Sequence, residues 1–170
     1  EQILLMTELP YLPPGTLREL LMRPWPEGNL PWKQTLSDTQ VPDEQILETL
    51  RTLKIENLVT RFGGLDQRQH WENVLPLDDQ QLLVLARVLL ANPVFVILDR
   101  PSTTLSPDRV NWMLGMLRER SITYVTFQSD ESGLNTDRYD GVLQLKEEGA
   151  WDYKPVERRE LIEAAQQLIS

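Results

Sequence analysis

Asp99 has the best-defined chemical setting in the sequence. It follows the unbroken apolar run Val94-Phe95-Val96-Ile97-Leu98. That run lacks the polar alternation of a half-exposed strand, so it reads as a strand covered on both faces, as in a parallel sheet. A carboxylate where such a strand emerges sits where α/β folds place ligand chemistry; it either holds a cation there or caps the turn that follows. Its neighbour Arg100 is a fixed cation, because a guanidinium does not take a proton from water. A second acidic feature, Asp78-Asp79, stands just before the helix-like run Gln80 to Leu90. Adjacent acids there suit the positive end of a helix dipole; the alternative is an acidic pair for metal binding or catalysis. His70 is the single histidine and cysteine is absent, which excludes histidine-rich metal sites, thiolate metal sites and disulfides.

The elements that must position these groups follow from periodicity. Leu82, Leu85, Ala86 and Leu89 mark one helical face, and Val84, Val88 and Leu90 cover much of the rest, so this helix is expected to be buried nearly all round. The polar stretch Leu75 to Asp79 reads as the loop before it. Ile3 to Met6 is a short strand. Thr16 and Glu19 have capping-box spacing, so a helix begins at Leu17 and ends near Met22, before Pro24 and Pro26. Residues Pro24 to Thr39 form a long loop carrying Trp25 and Trp32, which either anchor it on the domain or touch a membrane domain. Pro42 opens a helix with Ile46, Leu47, Leu50 and Leu53 on one face. A short helix follows from Ile55 to Arg61, stopped by Gly63-Gly64. Ser106-Pro107 caps a further helix with Val110, Met113, Leu114 and Leu117 inward. Ile122 to Phe127 is the next buried strand. Gly141 to Leu145 and Ala150 to Tyr153 form a hairpin around Glu148-Gly149, and Glu157 to Ile169 is a terminal amphipathic helix. Alternating strands and helices define an α/β class.

The chain has 170 residues, enough for one domain, with 41% apolar content and a net charge of −9. An acidic chain is a poor partner for nucleic acid. No apolar run approaches the roughly 18 residues of a membrane span. The first residue is Glu1 and a strand follows at once, so the chain is expected to be part of a longer one.

Two stretches resemble the nucleotide-binding domain of ABC transporters, and most of all the subgroup of peroxisomal fatty-acyl transporters with their bacterial, SbmA/BacA-like relatives. The family reads W-x-x-x-L-S-x-G-E-Q-Q-R-L-A-x-A-R and then L-D-E-A-T-S-A-L-D; Trp71, Leu75, Gln80, Gln81, Ala86, Arg87, Leu98, Asp99 and Leu105 match it. The second stretch, Pro10-Tyr11-Leu12-Pro13-Pro14-Gly15-Thr16-Leu17-Arg18, keeps P-Y-L-P-x-G-T-L-R in full. The resemblance covers most of the chain. It implies an α/β, P-loop NTPase-like ABC ATPase domain lacking its N-terminal strand–P-loop–helix unit, with a mostly parallel sheet plus a helical subdomain. About 10–90 would hold the Q-loop, helical subdomain and signature helix. The remaining 91–170 would hold Walker B, the D-loop, the switch region and the C-terminal hairpin and helix.

The resemblance also implies what the site should do, and most of its groups have changed. ATP and Mg are the family's ligands. The G-x-x-x-x-G-K-[ST] cradle is not among these residues. Asp99 matches the Walker B aspartate that holds Mg. Arg100 stands at the catalytic glutamate position, and loss of a positioned general base typically costs about 10²–10⁴ in rate. Glu8 stands at the Q-loop glutamine, Ser106 at the D-loop aspartate, and Ser129 at the switch histidine, whose charge a serine cannot carry. The signature is Leu75-Pro76-Leu77-Asp78-Asp79-Gln80-Gln81-Leu82. Pro76 removes a hydroxyl and an N–H donor, and Asp78 replaces a glycine that lets backbone approach phosphate. An Asp78 charge about 4 Å from a γ-phosphate, at an effective dielectric near 20, repels by about 4 kcal/mol per charge pair. That exceeds a few hydrogen bonds of about 1 kcal/mol each.

These changes point to a degenerate domain kept for its shape, with little or no hydrolysis. By resemblance it serves transport of a lipid-like or peptide substrate, structurally or as a regulatory half. Its partners would be a transmembrane domain, upstream in the same chain or separate, and a second nucleotide-binding domain as homo- or heterodimer. It would sit at the cytosolic face of a membrane. The contrasting expectation is a non-transport interaction or scaffold module reusing the fold; a third is a working ATPase with unusual residues, distinguished by turnover.

Overall fold

The computed structural model describes residues 3–22, 41–128 and 138–156. The loop carrying Trp25 and Trp32, Ser129 and the segment Glu157 to Ile169 lie outside the described residues. The chain forms two units, one up to residue 130 and one from residue 131 onward.

In the first unit, β1 (Ile3–Met6), β4 (Phe95–Asp99) and β5 (Thr123–Phe127) make a three-stranded parallel sheet in the order β1-β4-β5. Leu4 lies beside Val96 and Met6 beside Leu98, so all four project to one face, where each is buried. Helix α5 (Leu77–Ala91) touches β1, and α6 (Pro107–Glu119) touches β5. Gln80 through Leu90 are buried without a break, as expected of a helix apolar on nearly every side. Fully burying a leucine or valine contributes about 1.5–3 kcal/mol, which makes α5 the centre of this core.

The opposite face of the sheet departs from expectation. Ile3, Leu5, Val125 and Phe127 are exposed, and β4 alternates between buried and half-buried residues. The described residues therefore bury the sheet on one face only, and β4 is not covered on both. The strand opens at Phe95, not Val94, which is exposed. Of the run Ile122 to Phe127, only Ile122 is buried; among the described residues β5 has β4 on one side and no strand on the other. Helix α5 begins at Leu77, earlier than expected, because Pro76 sits at its N-cap and Asp78 and Asp79 occupy the favoured first turn. It ends at Asn92, which adopts the left-handed conformation at φ 43°. Helix α6 has the expected cap: Ser106 accepts from the Arg109 N–H at 3.4 Å, with Pro107 in the first turn.

Between β1 and α5 lies a mainly helical layer. It comprises β2 (Gly15–Thr16), α1 (Leu17–Met22), α2 (Asp43–Thr52), α3 (Asn57–Arg61), β3 (Arg68–Gln69) and α4 (Trp71–Val74). The capping box forms in both directions: the Glu19 N–H donates to Thr16 Oγ1 at 3.0 Å and the Thr16 N–H to Glu19 Oε2 at 2.9 Å. Strands β2 and β3 pair antiparallel. Arg18 binds Asp43 and Asp66 at once, tying α1 to the start of α2 and to the turn before β3. The Leu12–Arg18 stretch is thus held by packing and hydrogen bonding along its length. Leu12 and Leu17 are fully buried, and Gly15 presents its carbonyl to Trp71.

In the second unit, β6 (Gly141–Leu145) and β7 (Trp151–Pro155) form an antiparallel hairpin. The turn is the expected one, with Glu148 at φ 59° and Gly149 at φ 80°.

Candidate functional site at the carboxyl edge of the parallel sheet

Adjacent parallel strands bring their carboxyl ends together, so the residues after β1 and β4 share one edge. Glu8 follows β1 by a short turn, and Asp99 ends β4. Between them lies the Arg100 guanidinium. Its Nη2 is 2.8 Å from Glu8 Oε2, and its Nε is 3.4 Å from Asp99 Oδ1. The backbone makes this possible. Arg100 is left-handed at φ 45° and ψ 53°, while its N–H still donates to the Phe127 carbonyl at 3.1 Å. A non-glycine residue in that region costs about 1–2 kcal/mol. The chain then turns into a single 3₁₀ turn, Pro101–Thr103, which leads to α6.

Gln81 fixes the edge from beneath. It is buried in the second turn of α5, and its amide nitrogen donates to the Glu8 carbonyl at 2.5 Å and to Thr104 Oγ1 at 3.2 Å. One helix side chain thus joins the turn after β1 to the turn after β4. At the third strand, Gln128 Nε2 lies 3.5 Å from Ser102 Oγ. The structure therefore brings together Glu8, Asp99 and Arg100. Of the signature residues, Gln81 reaches the Glu8 carbonyl; Pro76 caps α5 without a side-chain bond, Asp78 is exposed and Asp79 is half-buried in the first turn. Gln80 turns inward and donates to the Leu75 carbonyl at 2.9 Å.

The sequence alone did not single out Gln81 as a member of the site, nor the Glu8–Arg100 ion pair. Both had a signal: opposite charges after two strands that pair in parallel, and a glutamine within the buried run of α5.

A divalent cation such as Mg requires several oxygen ligands around an uncrowded position. Here the two carboxylates face a guanidinium, and among the described residues no group of three or more His, Cys, Asp or Glu is placed to hold a metal. Among the described residues this arrangement does not fit Mg. At the α5 N-terminus, Asp78 and Asp79 place two negative charges in the first turn, where helix N–H groups point.

No family model matches the chain. It is 31% identical over 154 residues, 91% of this chain, to an uncharacterized ABC transporter ATP-binding protein of Synechocystis sp.. It is 26% identical over 145 residues, 73% of this chain, to the chloroplastic ABC transporter D family member 2 of Arabidopsis thaliana. It is also 26% identical over 147 residues, 86% of this chain, to ATP-binding cassette sub-family D member 3 of Mus musculus. These relatives are ABC transporter ATP-binding proteins, and together with the α/β fold they support an ABC nucleotide-binding domain. Within that class the named similarities run to the D family. The chain spans about a fifth of the length of the curated relatives it matches.

Proposed function

We propose that this chain is the C-terminal part of the nucleotide-binding domain of an ABC transporter-like membrane protein, degenerate in its ATP chemistry and kept for a structural or regulatory role. One observation carries the reading: the residue after Asp99 is Arg100, and its guanidinium is ion-paired to Glu8. Where the family places a base to activate water, this edge holds a cation that cannot act as one. The transport served is of a lipid-like or peptide substrate. A transmembrane domain and a second nucleotide-binding domain, identical or different, are the partners, and they hold this unit at the cytosolic face of a membrane. No helix among the described residues is long and apolar enough to cross a membrane; in this reading the transmembrane domain supplies the spans.

The test is Mg-ATP titration by calorimetry on the protein with all its flanking sequence, with Asp99→Ala beside it and phosphate release measured in parallel. Phosphate release at background is expected. Binding that Asp99→Ala abolishes assigns a regulatory role; no binding at millimolar ATP assigns a scaffold. Turnover above background that Asp99→Ala removes overturns the proposal. A non-transport interaction module is the second reading, favoured by the exposed apolar face that Ile3, Leu5, Val125 and Phe127 give the sheet. Transmembrane helices in the same longer protein would count against it.

A further inference from the structure

We infer that Arg100 is a tethered cation, which supplies the positive charge between Glu8 and Asp99 and thereby makes this edge metal-independent and closed to divalent ions. The inference deepens the proposed function and rests on it for its meaning, since it explains how a nucleotide edge persists without magnesium.

Three observations converge. First, the carboxylates sit at neighbouring strand ends, and a single guanidinium reaches both, at 2.8 Å and 3.4 Å. Two acids on facing strand ends repel unless a cation lies between them, and a planar guanidinium with its several N–H donors suits that place. Second, Arg100 is held there. Its backbone is left-handed at φ 45°, its N–H is tied to the Phe127 carbonyl, and its side chain meets Glu8 and Asp99. Third, Glu8 is positioned from the other side, because Gln81 in the buried α5 grips its carbonyl. The Glu8 side chain is the least exposed of the trio, at 23%, with Asp99 at 36% and Arg100 at 50%. A divalent ion entering here would have to displace a positive charge covalently attached to the site. A metal-free edge therefore keeps β1 and β4 in register without depending on ion supply.

The experiment uses Mn²⁺ alone as the probe, without nucleotide, so that its failure is separable from failure of the ATP titration. Wild type, Arg100→Gln, Arg100→Glu and Arg100→Glu/Asp99→Asn are titrated with Mn²⁺ by electron paramagnetic resonance, and folding is checked by circular dichroism. Arg100→Gln removes the cation with little change in size; Arg100→Glu adds a third carboxylate. Binding at least tenfold tighter than wild type is expected in Arg100→Gln and tighter again in Arg100→Glu, with the gain lost in the double variant. Should Arg100→Glu fail to fold, Arg100→Gln alone decides. Mn²⁺ binding by wild type as tight as by the variants, or no tightening in any folded variant, overturns the inference.

Discussion

The Trp71 indole N–H donates to the Gly15 carbonyl at 3.0 Å, joining residues 56 positions apart in the chain. Trp71 is fully buried, and Phe62 meets its ring edge-on at 5.3 Å. This one side chain fastens the β2 turn to the start of α4, which leads directly into α5. Trp71→Phe leaves the Gly15 carbonyl without its donor and should cost about 1–3 kcal/mol. Trp71→Ala adds a cavity and should cost about 3–5 kcal/mol. Urea unfolding followed by circular dichroism separates the two.

Gly15 makes room for the capping box. A Cβ there would come within 2.7 Å of Glu19 Oε2, the oxygen that accepts from Thr16. Gly15→Ala should push Glu19 out of the box and cost about 1 kcal/mol, the ordinary value of a cap. In a Glu19→Ala background the oxygen is gone, so adding Gly15→Ala should cost markedly less. A double-mutant cycle on denaturation midpoints reads this coupling directly; strict additivity would show that Glu19 yields without loss.

The Arg18 cluster sets an acid limit on the helical layer. Hydrogen bonds from Arg18 hold the Asp43 and Asp66 carboxyls below the usual carboxylate range, and the same bonds raise the guanidinium further from titration. Groups with lowered values stabilise the fold fully above their unfolded pKa, near 3.9, and lose that contribution as pH falls through the lowered values. Stability should thus be level in this respect from neutrality to about pH 5, then fall below about pH 4. Both aspartates are solvent-exposed, so the effect should shrink in high salt. The paired variant Asp43→Asn/Asp66→Asn should flatten the acid limb; an unchanged limb would place the acid sensitivity elsewhere.

Asn92 ends α5 in the left-handed conformation, with its N–H on the Val88 carbonyl at 3.0 Å. Glycine is at home there, so Asn92→Gly should be neutral or mildly stabilising, whereas Asn92→Val should cost about 1–2 kcal/mol. Thermal midpoints of the two variants, compared at one protein concentration, give the sign.

Much of this fold was legible because its signals are local. The Thr16–Glu19 cap, the Ser106-Pro107 helix start and the Glu148-Gly149 turn each depend on residues a few positions apart, and each forms as read, while α5 is buried from Gln80 to Leu90 as read but starts earlier, at Leu77. The burial of the sheet was less legible. An apolar run such as Val94 to Leu98 records what a strand can bury, not which neighbours are there to bury it, and the described elements cover one face. The candidate site was legible as separate letters. Glu8, Asp99 and Arg100 are each visible as substitutions or matches, but their contact depends on β1 lying beside β4 across an intervening helical layer. The Leu12–Arg18 stretch is an architectural knot, with Arg18 on Asp43 and Asp66 and the Gly15 carbonyl on Trp71, and those partners lie far along the chain.

The half-covered parallel sheet also bears on how the polypeptide behaves in a test tube. Among the described residues β1 and β5 each keep one edge without a partner strand, and the face beside them shows Ile3, Leu5, Val125 and Phe127 to water. Open strand edges next to apolar side chains are templates for adventitious strand addition and clumping. A preparation of this polypeptide should therefore be colloidally fragile, with light scattering that climbs with concentration. Its acidic charge of −9 is the main force keeping molecules apart, and brine would weaken that protection.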